Sequence, residues 1–142
     1  MAKILGIDYG SKRIGLSVSV PLMGMAVGYD VIEMNDSLSN NIKAIVIKEK
    51  IESIVIGLPK RMDNTLGQSA QEVMKFSEEL KKVLNIPVIL WDERLTSKQA
   101  EILLRDVNLS HKDKRQQINI TSAQLMLQSY MDAQTVNPVR DV

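Results

Sequence analysis

The chain has 142 residues, 44% of them apolar and 25% charged, and its 18 Lys and Arg nearly cancel its 17 Asp and Glu for a formal charge of +1. That size suits one domain with its own core, and near-neutrality leaves nucleic-acid affinity to a local patch rather than to global charge. With no cysteine and a single histidine, His111, the sequence excludes a disulfide framework, a thiolate metal site and a cysteine nucleophile, and argues against a His-rich site or a Ser-His-Asp triad. No apolar run approaches the ~18–20 residues of a membrane span, and the N-terminus lacks a signal peptide's regions, so a cytoplasmic location is expected.

Residues 3–8 predict a strand ending at Asp8, and Tyr9-Gly10-Ser11-Lys12 predicts a hairpin turn. In 13–20 the residues Ile14, Leu16, Val18 and Val20 alternate with Gly15, Ser17 and Ser19, the pattern of a half-buried strand. A third strand is expected within 25–34, after a break at Pro21–Gly24. Residues 37–50 predict a helix with Ile42, Ile45 and Val46 inward, and 51–56 a buried strand running into a loop at Gly57-Leu58-Pro59. The segment 60–67 is polar loop.

Residues 68–84 predict a helix whose stripe is Ala70, Val73, Met74, Leu80, Val83 and Leu84. Val88–Trp91 is the last strand and ends in Asp92-Glu93-Arg94. Thr96 and Gln99 fit a capping box opening a helix that carries Ala100, Leu103, Leu104 and Val107 inward. Residues 108–117 lack apolar periodicity and read as a mobile loop, followed by a helix over about 120–134 with Ala123, Leu127, Tyr130 and Met131 on one face. The order β-β-β-α-β-α-β-α-α predicts an α/β fold, a mixed sheet covered by helices. Residues 1–135 read as one domain and 136–142 as a fraying tail.

Two strands end in acid, at Asp8 and at Asp92-Glu93. If those strands are parallel, the carboxylates leave the sheet at the same edge, where α/β folds gather function. Two close carboxylates repel unless a cation sits between them, and hard divalent ions take such oxygen ligands. Two such ions, about 3.5–4 Å apart, can activate water and stabilise the leaving oxygen in phosphodiester hydrolysis. A turn-forming Asp8 and a solvated Glu93-Arg94 ion pair are the plainer readings. Periodicity leaves open whether Asp92 or Glu93 faces Asp8, because adjacent strand residues face opposite ways. Lys60, Arg61 and Asn64 could hold phosphates, as could the basic stretch SHKDKRQQ at 110–117, and each could equally be solvated loop. His111 could position a water or be idle. Phe76 and Trp91 read as core, so no stacking platform for single strands is visible.

The stretches GIDYGSKRIGLSVS (6–19), IVIGLPKRMDNTLGQSA (54–70), DERLTSKQAEILL (92–104) and SAQLMLQSYMD (122–132) together resemble the YqgF family. These are small bacterial proteins with a ribonuclease H-like fold, similar to RuvC-type Holliday-junction resolvases and regarded as nucleases that mature the 5′ end of pre-16S ribosomal RNA. The resemblance implies a five-stranded mixed sheet with its first three strands antiparallel. It also implies a site in which Asp8 is the first carboxylate and Glu93 the second, with Mg²⁺ or Mn²⁺ bound. The third acid of the pattern, an Asp opening the last helix, is matched here by Asn119, which is also a good helix N-cap. An amide oxygen coordinates without a negative charge; Asp113 nearby could substitute.

The implied activity is metal-dependent hydrolysis of structured RNA or branched DNA, with Lys12, Arg13, Lys60, Arg61, Lys112, Lys114 and Arg115 on phosphates. Two rivals differ in class: a nucleic-acid-binding protein that has lost catalysis through Asn119, and an actin-like ATP-binding lobe. The latter needs two lobes, for which 142 residues are too few.

Overall fold

The computed structural model describes residues 2–10, 12–59, 67–93 and 96–136, apart from the side chains of Pro59, Glu93, 96–98, Thr135 and Val136. Five strands, β1 (Ile4–Tyr9), β2 (Arg13–Val20), β3 (Met25–Glu33), β4 (Ser53–Pro59) and β5 (Val88–Glu93), form one sheet in the order β3-β2-β1-β4-β5. β2 runs antiparallel to both of its neighbours, β1 and β3, while β4 runs parallel to both β1 and β5. The connections account for this. Short turns reverse the chain between the first three strands, and the helices α1 (Leu38–Glu49) and α2 (Gln68–Val83) provide the crossovers that parallel strands need. Two further helices, α3 (Thr96–Leu103) and α4 (His111–Val136), complete the expected order.

Strand alternation divides the core between two faces. Leu5, Ile7, Ile14, Leu16, Ile54 and Ile56 pack against Ile42 of α1 and Val73, Phe76 and Leu80 of α2. Val55 and Ala26 pack on the opposite face against Met126 and Leu127 of α4, with Ile89, Trp91 and Tyr130 beside them. The indole of Trp91 donates to the Ser129 hydroxyl at 3.3 Å and meets Tyr130 edge-on, ring centroids 5.4 Å apart. No helix among the described residues is long and apolar enough to cross a membrane.

Several local expectations are corrected. β2 is buried on both faces: Ser17 and Ser19 are as enclosed as the leucines opposite, because α4 covers them. The Ser17 hydroxyl donates to the Ala123 carbonyl at 2.8 Å, and that of Ser19 accepts from the Ile4 amide at 2.8 Å. The alternation of β2 therefore separates large from small residues, not inside from outside.

Gly57, Leu58 and Pro59 belong to β4 rather than to a loop, since pairing with β5 continues through Pro59 opposite Glu93. In α2 the buried stripe is Ala70, Val73, Phe76, Ser77 and Leu80, while Met74 and Val83 are exposed. α3 is only eight residues long, and it leaves Leu103 and the following Val107 exposed. Residues 111–117 are the first two turns of α4, not a loop. Ser110 caps them, its hydroxyl accepting from the Asp113 amide at 3.1 Å and its carbonyl from the Lys114 amide at 2.8 Å. An exposed helical turn on a capped start needs no apolar periodicity.

Candidate active site

β1, β4 and β5 are parallel, so their carboxyl ends meet at one edge of the sheet. Asp8 is the penultimate residue of β1 and Glu93 the last of β5. With β4 between them, their strands are about 10 Å apart, two strand spacings, and the register sets Glu93 two residues beyond the level of Asp8. In the alternate set of β4 that faces α4, Val55 is followed by Gly57 and then by Pro59, the register partner of Glu93.

The parity question resolves by the same alternation. Asp92 shares its set with Val88 and Leu90, which pack towards α1 and α2. Glu93 shares its set with Ile89 and Trp91, which pack towards α4. Asp8 shares its set with Gly6, where an added Cβ would collide with Ser17 and Leu127 of the α4 side. Asp8 and Glu93 therefore hold strand positions of the same face, and Asp92 does not.

α4 brings Asn119 to that face. Asn119 is the ninth residue of the helix, not its N-cap, because the helix opens two turns earlier. Its backbone carbonyl lies so close to Gly15 that a Cβ there would overlap it. Gly15 in turn is the register partner of Asp8. A residue without a side chain lets the helix approach the strand at this point. Asp113 is exposed in the first turn of α4, two helical turns away from Asn119, and does not border the cleft that Asn119 lines.

That cleft, about 340 Å³, is lined by Gly10, Lys12, Arg13, Glu101, Arg115, Ile118 and Asn119. Three of the seven proposed phosphate contacts, Lys12, Arg13 and Arg115, thus meet at one wall of the site, drawn from the β1–β2 turn, β2 and α4. No ion pair within 4.0 Å engages these three cations among the described residues. Lys112 is exposed one turn earlier on α4, and the Lys114 ammonium donates to the Arg105 carbonyl at 3.4 Å. His111 is exposed at the helix start. Lys60, Arg61 and Asn64 lie outside the described residues.

Glu101 was not anticipated. It sits within the DERLTSKQAEILL stretch, but only the packing of α3 on α4 carries it to the cleft. No group of three or more His, Asp or Glu that could hold a metal occurs among the described residues. Among the described residues at this edge, Asp8 lies near the end of β1, and Glu101 and Asn119 line the cleft.

A model of the RuvX family, described as Holliday junction resolvase, matches residues 2–133. Proteins named "Putative pre-16S rRNA nuclease" from Listeria innocua and Caldanaerobacter subterraneus subsp. tengcongensis are 37% and 40% identical to this chain. Those alignments cover 92% and 93% of this chain and 97% of each relative. Among solved structures, T. thermophilus RuvC in complex with Holliday junction substrate matches with a TM-score of 0.58 at 11% identity, over 96% of this chain and 97% of that one. The Fowlpox virus resolvase in complex with substrate Holliday junction DNA matches with a TM-score of 0.57 at 11% identity, over 92% and 97%. These two likenesses establish the ribonuclease H-like architecture shared with the resolvases.

Proposed function

The chain belongs to the RuvX family, and from that premise we propose that it is a divalent-cation-dependent endonuclease hydrolysing phosphodiester bonds in structured nucleic acid. Its substrate in this reading is the precursor of 16S ribosomal RNA, processed at the 5′ end in the cytoplasm. The names of its relatives support the substrate class. The observation that supports the reading is that Asp8 and Glu93 end parallel strands at one edge of the sheet, while Asn119, whose backbone carbonyl abuts the register partner of Asp8, lines a cleft with three cations.

In this reading Asp8, Glu93 and Asn119 offer the oxygen ligands for Mg²⁺ or Mn²⁺. Such an ion polarises the phosphoryl oxygen and lowers the pKa of an attacking water. Lys12, Arg13 and Arg115 hold phosphates beside the scissile bond, with Lys60, Arg61, Lys112 and Lys114 as further contacts. These contacts fix the register of the backbone without reading sequence. Asp8 is the residue on which hydrolysis depends; the cations bind with or without it.

The deciding experiment incubates wild type and Asp8→Asn with a 16S precursor and with a four-way DNA junction, each with Mg²⁺ and with Mn²⁺. Loss of RNA cleavage in Asp8→Asn with binding retained supports the assignment. Metal-dependent cleavage surviving in purified Asp8→Asn removes it, and cleavage of the junction alone transfers it to a resolvase. Asn119 favours one second reading, a nucleic-acid-binding protein of weakened catalysis, because an amide supplies no charge to the ion.

A further inference from the structure

Four of the large apolar side chains most exposed to solvent fall within eight residues: Ile102 at 52%, Leu103 at 63%, Val107 at 40% and Leu109 at 41%. They span the last residues of α3 and its connection to α4, which is a built turn. The Leu104 amide donates to the Ala100 carbonyl at 3.0 Å, that of Val107 to Leu104 at 3.1 Å, and that of Leu109 to Val107 at 3.1 Å. The Lys114 ammonium closes it onto the Arg105 carbonyl. Burying these side chains at home would be favourable, so their exposure on an ordered turn marks a contact surface.

The position of the turn says what covers it. Ile102 follows Glu101, which lines the cationic cleft, and the turn leads directly into the helix that carries Arg115. The apolar residues are therefore flanked in the chain by two residues of the cleft, Glu101 and Arg115. A partner that presents anionic backbone to the cleft and apolar faces to the adjoining turn is a nucleic acid with unpaired bases. A second apolar patch provides the contrast. Leu22 and Met23, 98% and 67% exposed, lie at the opposite end of the sheet beside a cleft of about 360 Å³ with no charged residue among the described residues of its lining.

Resting on the reading of the cleft given above, we propose that the α3–α4 turn packs Ile102, Leu103, Val107 and Leu109 against unpaired bases of the substrate, next to the strand held by Lys12, Arg13 and Arg115. Aliphatic side chains can wedge against unstacked bases much as they do in kinked duplexes. The contact discriminates paired from unpaired substrate, which phosphate contacts do not.

The test compares a stem-loop RNA carrying 2-aminopurine in its loop with a fully paired duplex of equal length, both titrated without divalent ions. Leu103→Ser/Leu109→Ser replaces two exposed residues and is compared with Leu22→Ser, with circular dichroism checking the fold of each. The expected result is a tenfold or greater loss of stem-loop affinity and loss of the 2-aminopurine fluorescence change. Duplex affinity, the salt dependence and the Leu22→Ser protein should match wild type. Equal losses on duplex and stem-loop overturn the proposal, as does no loss. A wild-type dimer in sedimentation that the double variant dissociates also overturns it, by assigning the patch to a second copy. If Arg115→Ala leaves affinity and its salt dependence untouched, the cleft reading itself fails; if Arg115→Ala weakens binding and the serine variant does not, only the base contact fails.

Discussion

The backbone carbonyl of Asn119 rests against Gly15, the residue that pairs with Asp8 across β1 and β2. One glycine thus sets how close the helix bearing Asn119 comes to β2, the strand beside the one that bears Asp8. Gly15→Ala should push α4 off the sheet at this point. The expected cost is about 1–3 kcal/mol, as for other overpacked positions, with a fall in Mn²⁺ affinity measured by calorimetry. An unchanged melting temperature would show that the helix yields freely.

The polar seam beneath α4 makes its own prediction. Ser17→Ala removes the buried hydrogen bond to the Ala123 carbonyl, and should cost about 1 kcal/mol in urea unfolding. Ser17→Val should cost more, because a fully buried position under the helix has no room for two methyl groups. The reverse order would mean that the small-residue face of β2 is not packed as described.

Asn119 tests the charge of the site. Asn119→Asp adds a carboxylate where the helix lies closest to β2, and should raise Mn²⁺ affinity roughly tenfold, the lower end of what one change around a metal site produces. A parallel rise in cleavage would identify the natural protein as a weakened nuclease. Unchanged affinity and cleavage would place the third ligand elsewhere.

The cationic cleft predicts salt dependence. Lys12→Ala, Arg13→Ala and Arg115→Ala should each weaken binding of every RNA sequence tested and lower the slope of log affinity against log salt by about 1. A change confined to one sequence would indicate base reading instead.

A surface contact far from the cleft predicts a pH dependence of stability. Lys3 pairs with Glu49 at 3.0 Å, and the Tyr29 hydroxyl donates to the same carboxylate at 3.1 Å, joining the residue before β1 to α1 and β3. Lys3 first, then Tyr29, holds the Glu49 carboxyl below its ordinary value of 4.5. Between the lowered value and 4.5 the unfolded chain binds more protons than the folded one, so stability rises with pH there and is fully present above it. Glu49→Gln should therefore be less stable than wild type at pH 7, with the difference vanishing as pH falls below that window. Denaturant titrations at several pH values measure it; a constant difference would exclude the ionised carboxylate as its source.

The sequence alone determined the order and type of all the main elements, because period-2 and period-3.6 apolar patterns report local burial directly. It also marked Asp8 and Glu93 as strand ends. It misjudged whatever depended on a distant segment. The serines of β2 looked solvent-facing because nothing local announces a helix 100 residues later packing on them. Residues 111–117 looked like loop because a capped, exposed helical turn carries no apolar period. The family resemblance had named Glu93 and Asn119; the tertiary structure adds that Asp92 belongs to the other face, that Glu101 borders the cleft, and that the Asn119 backbone abuts the strand paired with the one holding Asp8. Those are consequences of register and of the approach of α4 at Gly15, and both are set by contacts between residues far apart in the chain.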